Sequence, residues 1–315
     1  MKTLLTALMC VTLASCATIA TIKGDDSVKV QGRTMAFARQ GSGTPTIVFE
    51  SGLADNKEKW TRVAAEVAKT TAVVTYDRAG YGASMSANGP RTAVEVVRDL
   101  REMLQAAGIK PPYVLVGHSL GGLYMQYFAR QFPNEVAGLV LIESTHWDQM
   151  ARMRRESPGT MNMVTALSAV MEPHVRTEFD GSTAAEKQVR DAPALISMPV
   201  VVLTGTRRNF VERGKFATAW YKLQKEEAST YQAEHVIAEH SGHYVHQDQP
   251  ELVVAAINKV VAQVRSEAIG YSTRAISGAR TRRHSLQSTE PIDASRISND
   301  QIISFRSSEP RLQIP

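Results

Sequence analysis

A serine between two glycines is the residue of this chain best suited to act as a nucleophile. The apolar run Val114–Val116 leads into Gly117–Gly121, which reads G-H-S-L-G, and an apolar-periodic segment follows. This order predicts a strand, a sharp turn and a helix, with Ser119 at the turn. The glycines let the backbone pass close to its neighbours, and the helix N-terminus offers N–H groups to a developing negative charge. The pattern therefore predicts an exposed, reactive Ser119 hydroxyl.

A serine hydroxyl needs a neighbouring imidazole to take its proton, and the chain has eight histidines. His118 adjoins Ser119 in the chain, so its side chain should point away from the hydroxyl. A loop between the last predicted strand and helix holds three more, His240, His243 and His246. At this spacing they would share a face only on a helix, which the loop's glycine disfavours, and no H-E-x-x-H pattern accompanies them. We expect a base from this loop, with no metal and no cofactor.

Short apolar runs that alternate with amphipathic segments predict the elements that would position these side chains. The predicted strands are a hairpin at Val28–Val30 and Met35–Ala38, and buried runs at Thr46–Phe49, Ala72–Tyr76, Tyr113–Val116, Gly138–Ile142, Val200–Thr204 and Tyr231–Ile237. The predicted helices are Glu58–Lys69, Thr92–Ala107, Leu120–Phe132, Gly214–Ala228 and Pro250–Ser266. The alternation predicts an α/β fold with a mostly parallel sheet and helices on both faces. Residues 145–197 have no strand signal and are expected to form a small helical cap.

The turn at Ser119, in this setting, resembles the nucleophile turn of the α/β-hydrolase family, and the resemblance covers roughly residues 27–265. The segment 46–53, T-I-V-F-E-S-G-L, is similar to the strand and loop that supply part of the family's oxyanion hole, although a serine stands where the family usually has histidine. The resemblance implies that the backbone N–H groups of Leu53 and Leu120 form that hole. It also implies His243 as the catalytic base, because Ser-Gly-His precedes a helix that starts with Pro-Glu; His246 is the second choice.

The acid of the implied triad departs from the usual family pattern. Most relatives place an aspartate after the strand equivalent to Val200–Thr204, but here Arg208 stands near that position and no carboxylate follows directly. Glu143 ends the preceding apolar strand, and a charge at that position needs a partner. Some branches of the family carry their acid there, so we predict Glu143 as the acid. Asp148 and Glu212 are the alternatives.

The N-terminal segment has the features of an export signal. Residues 1–15 contain one lysine, a short apolar run and small residues, too short for a permanent membrane span. The following Cys16 completes a motif that resembles the lipobox of bacterial lipoproteins, which implies acylation of Cys16 and anchoring to a membrane surface, by resemblance the outer membrane of the cell envelope. A soluble periplasmic or secreted protein, cut at Ala17, is the alternative. Residues 16–26 are predicted to be a spacer.

Composition limits the partners that the chain can have. Both cysteines lie within the first sixteen residues, which excludes a disulfide framework in the rest of the chain. The formal net charge is +5, but no basic stripe interleaved with aromatic residues is present, so no nucleic-acid partner is predicted. Residues 266–315 are rich in Ser, Thr and Arg without sustained periodicity and are predicted to be a disordered tail. The sequence does not indicate the oligomeric state.

The predicted function is hydrolysis of small to medium apolar carboxylic esters through a Ser119–His243–Glu143 triad and an acyl-enzyme. Methionines of the segment 145–197, among them Met150, are expected either to line an apolar acyl pocket or to pack the cap onto the core. The same arrangement of groups would also serve thioesters, amides, lactones or carbon–carbon bonds next to a carbonyl. An envelope lipoprotein that binds a ligand on this fold without turnover is the alternative from another class.

Overall fold

The central strands carry apolar side chains on both faces, because helices cover the sheet on each side. The computed structural model describes residues 25–209 and 212–287. Its strands are β1 (Asp25–Val30), β2 (Arg33–Gln40), β3 (Thr46–Glu50), β4 (Val73–Tyr76), β5 (Tyr113–His118), β6 (Val136–Ile142), β7 (Val200–Gly205) and β8 (Glu234–Ala238). Its helices are α1 (Thr61–Val67), α2 (Ala93–Ala106), α3 (Leu120–Gln131), α4 (Gln149–Glu156), α5 (Pro158–Ser168), α6 (Pro173–Asp191), α7 (Lys215–Thr230), α8 (Val245–Asp248) and α9 (Pro250–Gln287). Short 3-10 turns lie at Lys57–Trp60 and Pro133–Glu135.

The strands of the described chain form one eight-stranded sheet in the order β1-β2-β4-β3-β5-β6-β7-β8. The first two strands pair as an antiparallel hairpin, and β2 is also antiparallel to β4. All other neighbours are parallel. The predicted α/β architecture with a mostly parallel sheet is therefore confirmed. Since β5, β6 and β7 lie side by side, the loops after their carboxyl ends meet at one edge of the sheet.

Strand β5 shows how the two cores are divided between the faces of the sheet. Leu115 packs with residues of α2 and α3, whereas Val114 and Val116 pack with residues of α1 and α9. Alternate residues of a strand point to opposite faces, so a continuous apolar run is the pattern expected of a strand with helices on both sides. These three side chains are fully buried, which fixes the strand that carries Ser119 at its end.

The segment 145–197 forms three helices, α4, α5 and α6, and contains no strand. Met150, Met153 and Met161 are buried there against Trp220 and Leu223 of α7. These three methionines therefore pack the segment onto the core, whereas Met163 and Val170 are exposed. We call residues 145–197 the cap.

Several element boundaries differ from the sequence-based predictions, among them the start of β8 and the end of α9. Tyr231 caps the end of α7 and the backbone turns at Gln232, so β8 begins at Glu234 rather than at Tyr231. Helix α9 continues past Ser266 to Gln287, into the segment predicted to be disordered. The compact unit that holds the sheet ends at Glu267. Residues 288–315 of the predicted tail, together with the predicted signal segment 1–15 and Cys16, lie outside the described residues.

Candidate active site

Ser119 occupies a strained turn between β5 and α3. Its φ and ψ are 52° and −125°, a conformation that residues with a side chain rarely adopt. A Cβ on Gly117 would lie 2.6 Å from the Cα of Gly122, and one on Gly121 would lie 2.4 Å from the carbonyl oxygen of Ser51. Glycine is therefore required on both sides of the serine for steric reasons. The backbone N–H of Ser119 donates to the carbonyl of Ile142 on β6 at 3.1 Å, which ties the turn to the neighbouring strand.

The structure brings Ser119, His243 and Glu143 into one hydrogen-bonded line. His243 Nε2 lies 3.0 Å from Ser119 Oγ, and His243 Nδ1 lies 3.1 Å from Glu143 Oε2. The serine follows β5, the glutamate follows β6 and the histidine lies in the loop between β8 and α8. In this line the imidazole can take the serine proton through Nε2 while Nδ1 donates to the carboxylate.

Glu143 is fully buried, yet its hydrogen-bond partners favour the ionised form of its carboxylate. Burial alone would raise the pKa of this group, but hydrogen bonds from His243 and Arg208 outweigh burial and leave its pKa below the ordinary value. The backbone N–H of Gly205 donates to Oε1 at 2.8 Å, and Arg208 donates to both carboxylate oxygens. A charge-stabilising acceptor for a protonated His243 is thus present at the site.

A second histidine fixes the loop that carries His243. His118 lies 2.8 Å through its Nε2 from the carbonyl oxygen of His243, and since a carbonyl only accepts, that nitrogen carries the proton and donates. Burial, together with the neighbouring histidines, holds the pKa of His118 well below its ordinary value, so the ring is neutral. The His118 side chain therefore contacts the backbone of the base, and its Nε2 is not a competing base.

The alternative acids, Asp148 and Glu212, and the alternative base, His246, lie outside the hydrogen-bonded line of Ser119, His243 and Glu143. Asp148 pairs with Arg190 of the cap, and Glu212 accepts from the backbone N–H of Asn209 at 3.3 Å; neither makes a described contact with His243. His246 is buried between the rings of Trp60 and His118, with centroid distances of 4.5 Å to each, and burial lowers its pKa to about 3.

Among the described residues, no group of three or more His, Cys, Asp or Glu side chains has the arrangement of a metal site. No described helix is long and apolar enough to cross a membrane.

The loop that carries Leu53 is held by a buried arginine. Arg78 donates to the carbonyl oxygens of Ser51 and Gly52 at 2.6 and 2.8 Å. Glu178 of the cap binds the same guanidinium through both carboxylate oxygens, each at 2.8 Å. The loop that carries Leu53 is thus fixed by a charge pair between the sheet edge and the cap.

The two N–H groups predicted for the oxyanion hole lie in adjoining segments. Leu120 begins α3, and the following Gly121 packs against the backbone of Glu50 and Ser51, which leads into Leu53. The described chain contains no hydrogen bond from the backbone N–H of Leu53 or of Leu120.

Sequence reasoning missed the partners Arg208, Glu178 and His118. The sequence places Arg208 near the usual acid position but does not show that it binds Glu143. The signal that points to its role is the same as for Glu143, since a buried carboxylate at a strand end requires a cationic or N–H partner. Glu178 comes from the cap, a hundred residues along the chain from Arg78, and carries no local signal.

Comparisons with known proteins agree with this architecture. A family model described as the alpha/beta hydrolase fold matches residues 45–171. The uncharacterized protein YqjL of Bacillus subtilis is 30% identical over 223 residues, covering 70% of this chain and 85% of that protein. A thermophilic esterase from Thermogutta terrifontis has a TM-score of 0.53 at 23% identity, covering 76% of this chain and 97% of that one. An N-acyl homoserine lactone degrading enzyme has a TM-score of 0.58 at 20% identity, covering 75% and 100% of the two chains.

Proposed function

Because the chain belongs to the α/β-hydrolase fold family, we propose that it is a serine hydrolase that cleaves carboxylic esters through an acyl-enzyme. The observation that carries the proposal is the hydrogen-bonded line from Ser119 Oγ through the imidazole of His243 to the buried carboxylate of Glu143. A serine in a strained turn, beside a base that is itself oriented by an acid, is the arrangement that acyl transfer requires.

In the proposed reaction Ser119 Oγ attacks the ester carbonyl carbon while its proton passes to His243 Nε2. Glu143 stabilises the imidazolium through Nδ1, and the N–H groups of Leu53 and Leu120 hold the negative oxygen. Collapse of the intermediate breaks the bond to the alcohol, which leaves with the proton from His243. Water, deprotonated by the same imidazole, then attacks the acyl-enzyme and releases the carboxylic acid.

The surroundings of the base favour apolar esters, and a small to medium size is part of the proposal. The rings of Trp220 and His243 pack edge to face, with centroids 5.6 Å apart, and Trp220 also belongs to the apolar cluster formed by α7 and the cap. An apolar acyl group near His243 would therefore extend buried hydrophobic surface.

The test is hydrolysis of p-nitrophenyl esters of increasing acyl length, with a lactone and a thioester in the same panel. We expect wild type to hydrolyse short and medium esters, and Ser119→Ala to lose at least about a thousandfold in kcat/KM. A fluorophosphonate probe should label wild type and not Ser119→Ala. An unlabelled wild type would favour a ligand-binding protein without turnover, and cleavage of the lactone or thioester alone would reassign the substrate.

A further inference from the structure

Arg208 makes a bidentate contact with the carboxylate of Glu143, the proposed acid of the site. Its Nη1 donates to Glu143 Oε2 at 2.8 Å and its Nη2 donates to Oε1 at 2.9 Å, while Nη2 also reaches the carbonyl oxygen of Gly205 at 2.9 Å. The guanidinium lies near the rings of Trp220 and Tyr221, at 5.6 and 5.0 Å from their centroids. The side chain of Arg208 is 6% exposed and that of Glu143 is fully buried. This pair is therefore shielded from the solvent that weakens surface ion pairs.

The carboxylate of Glu143 has no acceptor position left over. Oε1 receives the N–H of Gly205 and one N–H of Arg208, and Oε2 receives the other N–H of Arg208 and Nδ1 of His243. Rotation of the carboxylate would break at least the bidentate contact, since that contact fixes both oxygens in one plane. Arg208 thus determines which oxygen faces the imidazole.

The same contact divides the negative charge of Glu143 between two cations when His243 is protonated. Arg208 and His243 bind the same oxygen, Oε2, so the imidazolium meets an anion that is already neutralised from the other side. An unshared carboxylate would stabilise the imidazolium more strongly. The sheet edge and the loop of the base contribute the titratable or charged groups Asp55, Lys59, His118, Tyr244, His246 and Asp248. Helix α7 contributes Glu227, which acts electrostatically on Glu143, and Tyr221, whose ring lies beside Arg208. None of these groups hydrogen-bonds to Glu143 in the described chain.

On the premise of the proposed function, we infer that Arg208 is a positioning residue for this reaction. It holds Glu143 in the orientation that receives His243, and it shares with His243 the carboxylate oxygen Oε2. The arginine thus retains the hydrogen bond that orients the base while it weakens the attraction between the carboxylate and the imidazolium.

The test compares pH profiles of kcat/KM for one p-nitrophenyl ester in wild type, Arg208→Gln, Arg208→Met and Arg208→Lys. We expect both neutral variants to lose about tenfold in kcat and to shift the acid limb of the profile upward by about one pH unit. Arg208→Lys keeps the positive charge but loses the bidentate contact with Glu143. The acid limb of its pH profile should therefore stay near that of wild type, while its kcat falls. Arg208→Met keeps an apolar side chain beside Trp220 and replaces Arg208→Gln as the neutral variant if Arg208→Gln does not fold.

The matched control is Arg207→Gln, which removes one positive charge from the exposed neighbouring residue and should leave the whole profile unchanged. A lower kcat with an unmoved acid limb in both neutral variants would overturn the inference and leave Arg208 with a structural role only. A downward shift would overturn it as well. A wild type that hydrolyses no ester and resists the fluorophosphonate probe would instead remove the proposed function, and the inference with it.

Discussion

Ser119 and Glu143 both have a positive φ angle, which is costly for residues with a side chain. Their φ angles are 52° and 46°, and each follows the last residue of a buried parallel strand. Both strained residues are tied to the next strand, since Ser119 N–H donates to Ile142 and Glu143 N–H donates to Leu203 at 2.8 Å. Strain at two neighbouring positions, each held by the strand beside it, is expected where side chains must be preorganised for a reaction.

Replacement of Glu143 by glutamine is expected to reduce kcat by about a thousandfold or more, because a neutral amide stabilises the imidazolium poorly and can orient the wrong tautomer. Asp148→Asn should leave kcat within about twofold, since Asp148 pairs with Arg190 in the cap. Steady-state kinetics on one ester would compare the two. The thermal stability of Glu143→Gln must also be measured, because this variant leaves the buried charge of Arg208 without its partner and could lower kcat by unfolding the protein. Equal losses in both variants would contradict the assignment of the acid.

The chemistry-bearing residues were predictable to different degrees. Ser119 could be found because steric limits dictate the glycines around it, and Glu143 could be found because a charge at the end of an apolar run needs a partner. The base could be narrowed to one loop because that loop precedes the proline that begins α9. The role of Arg208 could not be predicted, since it depends on the parallel register of β6 and β7, which brings the loops after both strands to the same edge.

The cap is joined to the sheet edge by a charged contact as well as by apolar packing. Glu178 on α6 is fully buried and accepts from Arg78 and from the Tyr81 hydroxyl, the latter at 2.9 Å. Arg78 in turn holds the carbonyl oxygens before Leu53. At the scale of the elements, the cap thus contributes through Glu178 and Arg78 to the geometry of the loop that carries Leu53.

We predict that Glu178→Ala lowers the free energy of unfolding by about 3 kcal/mol or more and also lowers kcat, because it leaves the buried Arg78 short of one counter-charge and loosens its loop. The matched control is Asp180→Ala on the same helix. Asp180 pairs with Arg176 at the surface, where both side chains are at least half exposed, so its removal should change stability by less than about 0.5 kcal/mol. Urea unfolding and ester kinetics would measure both effects. Similar results for the two variants would show that the contact between Glu178 and Arg78 contributes neither to stability nor to activity.

The ends of the elements were harder to predict than the elements themselves. Residues 266–287 were predicted to be disordered because they lack an apolar stripe, but a helix satisfies its own backbone hydrogen bonds and can continue without one. The apolar ring of Tyr231 favoured a strand in the sequence-based prediction. In the structure this ring belongs to the core cluster that contains residues of α2 and α3, and its hydroxyl donates to Gln126 at 2.9 Å. Apolar patterning indicates which residues are buried, but not in which element.

At the scale of the whole molecule, the proposed site belongs to a unit that we propose to be tied to a membrane surface through Cys16. Residues 16–24 would span at most about 30 Å when extended, so a tether there would keep the fold close to the lipid. Each buried methylene of an acyl chain adds about 0.8 kcal/mol, and two or more chains hold a protein stably at a bilayer. Esters dissolved in or bound to that surface would then be the substrates closest to the site.

The tether can be tested by expression of the full chain in a Gram-negative host that is fed a labelled fatty acid. We expect label in wild type and recovery of wild type with the membranes, whereas Cys16→Ser should carry no label and leave the membrane fraction. Cys10→Ser is the matched control, since it removes the chain's only other cysteine from within the predicted signal and should behave as wild type. Because Cys16 precedes the first described strand and takes no part in the proposed reaction, any soluble Cys16→Ser protein should hydrolyse p-nitrophenyl esters at the wild-type rate. Label retained in Cys16→Ser, or a wild type recovered unlabelled in the soluble fraction, would contradict the anchor while leaving the proposed chemistry in place.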